Sequence, residues 1–267
     1  APMHPHRGFD TVMHVLQGRC DHKDSMGNSG TLNEGDCQWM GARSGIEHDE
    51  GKNHPGGVLH GFQMWVNLPA RLKMNDPIYQ DVPKAAIPIL NINDVLSVKI
   101  LAGECNGTKG VIITETPVQY LDFRCKVGAE FTHPIPSEMN TCIIYVYHGS
   151  GVFNNVSAGD GETLLMGEGE VIHFSCTKEL APPVKGERGR GENVGGYCED
   201  LRFLLLSGKK INEPIVRHGP FVMNTRDELV QAFEDYQTGK LCKSKGEMRQ
   251  FSARTDSNSN NDDAMKK

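Results

Sequence analysis

No apolar run in this chain approaches the length of a transmembrane helix, so a helical membrane span finds no place in it. Positive charge is short as well. Against 34 Asp and Glu stand 28 Lys and Arg, a net charge of −6, and the basic patch that nucleic acid requires is missing. The eight cysteines (Cys20, Cys37, Cys105, Cys125, Cys142, Cys176, Cys198 and Cys242) contain no C-x-x-C pair and no tight framework. No secretory signal opens the chain either, and together these features favour reduced thiols in an intracellular protein. The chain also starts without an initiator Met, and a fragment lacking its first strands is the expectation.

What the sequence does have is turns. Thirty glycines and fourteen prolines are scattered along it, the pattern of short strands joined by tight connections, and the expected fold class is all-β. The chain is long enough for one large or two ordinary domains.

Near the start lies His4-Pro5-His6-Arg7-Gly8-Phe9-Asp10, followed by the β-favouring Thr11-Val12-Met13-His14-Val15-Leu16. Side chains alternate along a strand, so His4 and His6 point to the same side. Some forty residues on, His48-Asp49-Glu50 repeats that spacing. A single histidine is usually structural, but two such pairs separated by a turn-rich connector are more specific. If both pairs face inward from neighbouring strands, three imidazoles and one carboxylate converge on a metal. The remaining histidines, His14, His22, His54, His60, His133, His148, His173 and His218, form no second cluster and read as structural or solvated.

Further strands are expected at Cys37–Met40, Leu59–Leu68, Val95–Ala102, Val111–Thr116 and Leu201–Leu206. A linker is expected over 69–93, where Pro69, Pro77, Pro83 and Pro88 fall. The chain then repeats itself. Thr132-His133-Pro134-Ile135 parallels Met3-His4-Pro5-His6, and Met166–Ile172 parallels Leu32–Gln38, which points to a duplicated barrel. In the second copy Ile135 stands for His6, and counting thirteen residues on from Gly169 puts Pro182 where His48 would be. Three of four ligands are lost, and the second barrel is expected to be metal-free. The expected boundaries are 1–92 for the metal barrel, 93–240 for the second barrel with its helix, and 241–267 for a disordered tail. Residues 182–196 read as a flexible insertion. Thr225-Arg226-Asp227-Glu228 is a capping box that opens a helix with Leu229, Ala232, Phe233 and Tyr236 on one face and a stop at Gly239.

Several stretches resemble the pirin family: His4–Val12, Gly35–Met40, Gly45–Glu50, Gln63–Leu68, Pro117–Phe123 and His218–Thr225. The likeness runs from residue 1 to about 240 and implies a bicupin, two cupin-type β-barrels with a C-terminal helix, holding one Fe(2+) in the N-terminal barrel. By residue-to-residue match the family's ligands fall on His4, His6, His48 and Glu50. The chain departs from the family in two places. Family members carry further residues before the H-P-H-R-G-F motif, so the first barrel is expected to be truncated with an open edge. The usual A-G-R-G-I appears as Ala42-Arg43-Ser44-Gly45-Ile46, with the arginine moved by one position.

The resemblance implies flavonol (quercetin) 2,3-dioxygenase activity, with a small aromatic flavonol and dioxygen as substrates and carbon monoxide released. Glu50 would be both ligand and proton acceptor. Phe9, Met40, Phe62, Met64 and Trp65 are candidates for an apolar pocket wall. Iron, manganese, nickel, cobalt and zinc all suit three imidazoles and a carboxylate. The resemblance also implies a second class of function, an iron-dependent nuclear transcriptional co-regulator that binds a transcription factor. On either reading the protein is expected to be a monomer of nucleus and cytoplasm.

Overall fold

The computed structural model describes residues 1–51, 56–176 and 200–242, and its architecture is nearly all β. In the N-terminal half the strands are β1 (His4–His6), β2 (Phe9–Gln17), β3 (Arg19–Asp24), β4 (Ser29–Asn33), β5 (Cys37–Gly41), β6 (Ile46–Glu50), β7 (His60–Asn67) and β8 (Ile78–Val82). A short helix, α1 (Ala70–Lys73), lies between β7 and β8. The second half contains β9 (Ile89–Asn93), β10 (Leu96–Ala102), β11 (Glu104–Cys105), β12 (Thr108–Lys109), β13 (Val118–Lys126), β14 (Glu130–Pro134) and β15 (Thr141–His148). It continues through β16 (Ser150–Phe153), β17 (Val156–Gly159), β18 (Thr163–Met166), β19 (Val171–Ser175) and β20 (Asp200–Gly208). A hairpin of β21 (Val216–His218) and β22 (Phe221–Met223) leads into α2 (Arg226–Gln237).

Each barrel pairs two sheets. The first has β1-β6-β3-β4 and β7-β2-β5-β8, the second β14-β19-β16-β17 and β18-β15-β20-β13-β10-β9. The core of the second barrel is built on Phe123, Phe153, Phe174 and Phe203, whose rings meet with centroids about 5 Å apart. Between the barrels Val12, Trp39, Leu101, Tyr120 and Leu204 form a separate buried cluster.

Two expectations about strands fail. Residues 69–93 are not a bare linker, because β8 pairs along β5 and β9 along β10. The prolines that suggested a linker stand at strand ends, Pro77 before β8, Pro83 after it and Pro88 before β9, where no ladder hydrogen bond is lost. Val111–Thr116 forms no strand, only one bridge between Ile112 and Ala102. Among the described residues β7 pairs with β2 alone, whereas β20 in the second barrel has β13 and β15 on either side.

The duplication is real, but its register differs from the one the glycine count gave. The turn at Gly35, whose N–H donates to the Val15 carbonyl at 2.8 Å, matches the turn at Gly161, which donates to Val146 at 2.8 Å. Counting from Gly169 therefore started eight residues too late. His4 pairs with His48, and His133 pairs with Ile172. The structure thus places Ile135, Ile172 and Phe174 where the first barrel has His6, His48 and Glu50, all three in the apolar core. Pro182 and the 182–196 insertion lie outside the described residues.

The helix α2 begins at the capping box, with the Glu228 N–H donating to Thr225 Oγ1 at 3.2 Å and Glu228 Oε2 accepting from the Thr225 N–H at 2.8 Å. Gly239 takes φ 70° and closes the helix. Leu229 and Ala232 are buried against Phe221, while Tyr236 is largely exposed. Leu241, expected in the tail, is buried in the same cluster, and residues 243–267 lie outside the described residues. Arg43 takes φ 47°, the left-handed region that glycine adopts freely. Its guanidinium donates to Glu115 Oε2 at 2.6 Å, so the displaced arginine ties the two halves of the chain.

Candidate metal centre

Strand alternation puts His4 and His6 on the inner face of β1, and His48 and Glu50 on the inner face of β6. The antiparallel register, with His4 opposite His48 and His6 opposite Ile46, brings the imidazoles together. Ring centroids are 4.7 Å apart for His4 and His6, 4.5 Å for His4 and His48, and 5.0 Å for His6 and His48. One nitrogen from each ring can be chosen so that all three lie within 4.8 Å of one another. Among the described residues no other group of three or more such side chains converges. Glu50 stands beside this trio, its Oε1 3.7 Å from His48 Nδ1 and accepting from Gln63 Nε2 at 3.2 Å.

Both ring nitrogens of His6 and Nε2 of His48 are buried without a hydrogen-bond partner in the protein. Orphaned buried polar atoms cost free energy, and a cation between the rings would take one nitrogen of His6 and Nε2 of His48, the other His6 nitrogen bearing the proton of the neutral ring. His4 Nδ1 donates to the Pro2 carbonyl at 2.7 Å, which fixes the tautomer that leaves Nε2 bare. Burial, reinforced by the neighbouring His4, lowers the pKa of His6 to about 4. Burial, with His6 and His4 adding to it, lowers that of His48 to about 3. These rings are therefore neutral at physiological pH, the form that binds a metal. Burial raises the pKa of Glu50, and the nearby His4 opposes that rise. Three imidazoles and one carboxylate fit a divalent first-row ion.

The wall beside the trio is aromatic. His6 meets Phe9 at 5.1 Å and Trp65 at 5.6 Å, and Phe9 and Trp65 lie 4.3 Å apart. Arg217 places its guanidinium 5.0 Å from the Trp65 ring. Of the five wall residues expected, only Phe9 and Trp65 face His6. Phe62 and Met64 occupy the opposite face of β7 and pack into the inter-barrel cluster, and Met40 is buried beneath Tyr79. The same alternation turns Gln63 and Trp65 to the histidine side, so Gln63 and Arg217 are the residues that sequence reasoning missed. For Gln63 a signal existed, because it lies two residues from Trp65 on one strand. Of the other histidines, His14, His22 and His133 are buried, His173 is half-buried, His60, His148 and His218 are exposed, and His54 lies outside the described residues.

The strand carrying the histidines is held by the C-terminal segment. Arg7 donates its N–H to the Pro220 carbonyl at 3.4 Å and accepts from the Val222 N–H at 3.0 Å. Its side chain donates to the Ser44 carbonyl at 2.6 Å and to Asp235 of α2 at 2.8 Å. Lys73, almost fully buried, donates to the Gly8 and Val222 carbonyls at 2.6 and 2.9 Å and to Asn67 Oδ1 at 2.6 Å.

Comparison with known proteins agrees with this architecture. The family model described as Pirin matches residues 1–66, and the one described as Pirin C-terminal cupin domain matches residues 120–242. A pirin-like protein of Solanum lycopersicum is 41% identical over 242 residues, covering 90% of this chain and 76% of that protein. The crystal structure of a quercetin 2,3-dioxygenase from Acinetobacter baumannii superposes with a TM-score of 0.78 at 33% identity, covering 90% of this chain and 78% of that one. A bacterial pirin of Escherichia coli, solved in complex with nickel(II), shares the fold at a TM-score of 0.57 and 21% identity, covering 78% of this chain and 75% of that one. With family models on both barrels and such identity over nine-tenths of its length, this chain belongs to the pirin family and is a bicupin with quercetin 2,3-dioxygenase-like relatives.

Proposed function

We propose that His4, His6, His48 and Glu50 hold one Fe(2+) and that the protein uses dioxygen to open the heterocycle of flavonols such as quercetin. The observation that carries this reading is the convergence of one nitrogen from each of His4, His6 and His48, with those of His6 and His48 buried and unpartnered, beside the carboxylate of Glu50. The relatedness to a quercetin 2,3-dioxygenase supports the substrate class. Bound iron would supply a redox-active Lewis acid on which four protein ligands leave positions open for small molecules.

The protein's own groups supply the rest. Glu50, its carboxyl made more basic by burial, takes the proton from the enolic hydroxyl of the flavonol. Gln63 holds that carboxylate by its amide N–H. Trp65, exposed and backed by Phe9, offers a ring against which a flat substrate lies. Nickel(II) in the Escherichia coli pirin accords with a donor set that accepts several first-row ions.

Oxygen uptake by the iron-loaded protein with quercetin tests this reading. Uptake well above that of free iron, with carbon monoxide as a product, supports it. Uptake no greater than that of free iron would sink it. That result would favour the second reading, a metal-dependent co-regulator of nucleus and cytoplasm that binds a transcription factor and turns nothing over.

A further inference from the structure

The two barrels share a frame but not the way their mouths are closed. In the first, Met40 on β5 is covered by β8, whose Tyr79 hydroxyl meets Met40 Sδ at 3.0 Å. Gly8 on the same rim is capped by Lys73 and Val222. In the second barrel the place of Met40 falls to Met166, opposite Cys142 as Met40 is opposite Thr11. Its strand, β18, is the edge of its sheet, with β15 as its one partner among the described residues. Where Tyr79 fills the first barrel, the second has a cavity of about 510 Å³.

The floor of this cavity is Ile135, Met139, Cys142, Met166 and Ile172. Ile135 and Ile172 occupy the places of His6 and His48, so the cavity sits where the first barrel has its histidines, with carbon and sulfur on its floor and Ser137, Asn140, Asn154, Glu168 and Glu170 among its other lining residues. Glu168 and Glu170 stand on the rim, and no lysine or arginine is among the lining residues.

We propose that this cavity is a second, metal-independent binding site for a small aromatic molecule that is neutral or cationic. Its volume lies within the roughly 300–1,000 Å³ of ordinary ligand sites. Two thioethers and a thiol favour contact with ring edges. Two rim carboxylates, with no lysine or arginine beside them among the described lining residues, repel an anion. Burial pushes the Cys142 thiol up to about 11, so it presents an uncharged sulfur at neutral pH.

Two dyes with the same ring body separate the possibilities: neutral N-phenyl-1-naphthylamine and anionic 1-anilinonaphthalene-8-sulfonate. Each is titrated into the full chain, with binding followed by fluorescence and by the methyl NMR signals of methionine and isoleucine. The expected result is saturable one-to-one binding of the neutral dye, weaker binding of the sulfonate, and shifts at the Ile135, Met139, Met166 and Ile172 methyls. Met166→Lys, which sets a cation on the floor, should weaken the neutral dye about tenfold or more. The proposal is overturned if the neutral dye does not saturate, or if the shifts fall at Met13, Met40 and Ile46 instead. Because the NMR readout uses the unaltered chain, a Met166→Lys protein that fails to fold does not spare it.

Discussion

Arg7 Nη1 stands 2.8 Å from Asp235 Oδ2, an ion pair that joins the residue beside His6 to a helix 228 positions later in the chain. Arg7 is buried, and Asp235 keeps a fifth of its side chain exposed. The first histidine strand is only three residues long and has one ladder partner among the described residues, β6. The C-terminal segment is therefore part of what holds the candidate ligands in place.

Asp235→Ala should lower stability by about 1–2 kcal/mol, since the guanidinium keeps Ser44 as a partner and the lost carboxylate was partly solvated. Chemical denaturation measures this. The same variant should release bound metal to a chelator faster than wild type, which a change on the outer surface of α2 such as Val230→Ala should not.

Gly8 takes φ 91°, and a Cβ there would collide with the Val222 carbonyl and lie 2.8 Å from Met223 Sδ. Gly8→Ala should therefore cost at least about 2 kcal/mol, from backbone strain and loss of the close approach. Lys73→Met removes the three donors that bridge Gly8, Asn67 and Val222 and should cost about 2–4 kcal/mol, because the acceptors stay buried. A thermal shift within a degree of wild type in either variant would contradict this account of the clasp.

His14 is fully buried between the barrels, with Nδ1 unpartnered and Nε2 3.4 Å from Lys99 Nζ. Burial, then the charges of Lys99 and Arg124, lower its pKa from 6.5 to about 3. The unfolded chain binds this proton below pH 6.5 and the folded one does not, so the contribution is complete above 6.5 and is lost as pH falls toward 3. The loss is about 1.4 kcal/mol for each pH unit. Stability measured from pH 7 to 5 should fall less steeply for His14→Gln than for wild type. Equal slopes would mean that this imidazole is already charged in the fold.

The four candidate ligands were legible because each pair lies two residues apart, and strand alternation alone puts such residues on one face. Arg217 was not, since it reaches the site through the path of the β21–β22 hairpin, which no local pattern records, whereas Gln63 could have been found from the strand alternation that sets it on the face of Trp65. The duplication was visible in His133-Pro134-Ile135, but glycines at both 161 and 169 offered two frames, and hydrogen bonding at Gly161 chooses between them. Strands β8 and β9 were hidden by prolines that mark their ends. Val111-Ile112-Ile113 reads as a strand by composition, yet only Ile112 finds a bridging partner; it is buried between the barrels with Val111 packed beside it, while Ile113 is exposed.

Metal content of the purified protein, with His6→Ala and Glu50→Ala beside wild type, tests the central claim most directly. The account predicts about one first-row metal ion per wild-type chain, with little or none in His6→Ala and weakened retention in Glu50→Ala. A wild-type protein that binds no metal when reconstituted with iron, or a His6→Ala protein that keeps a full equivalent, would contradict it.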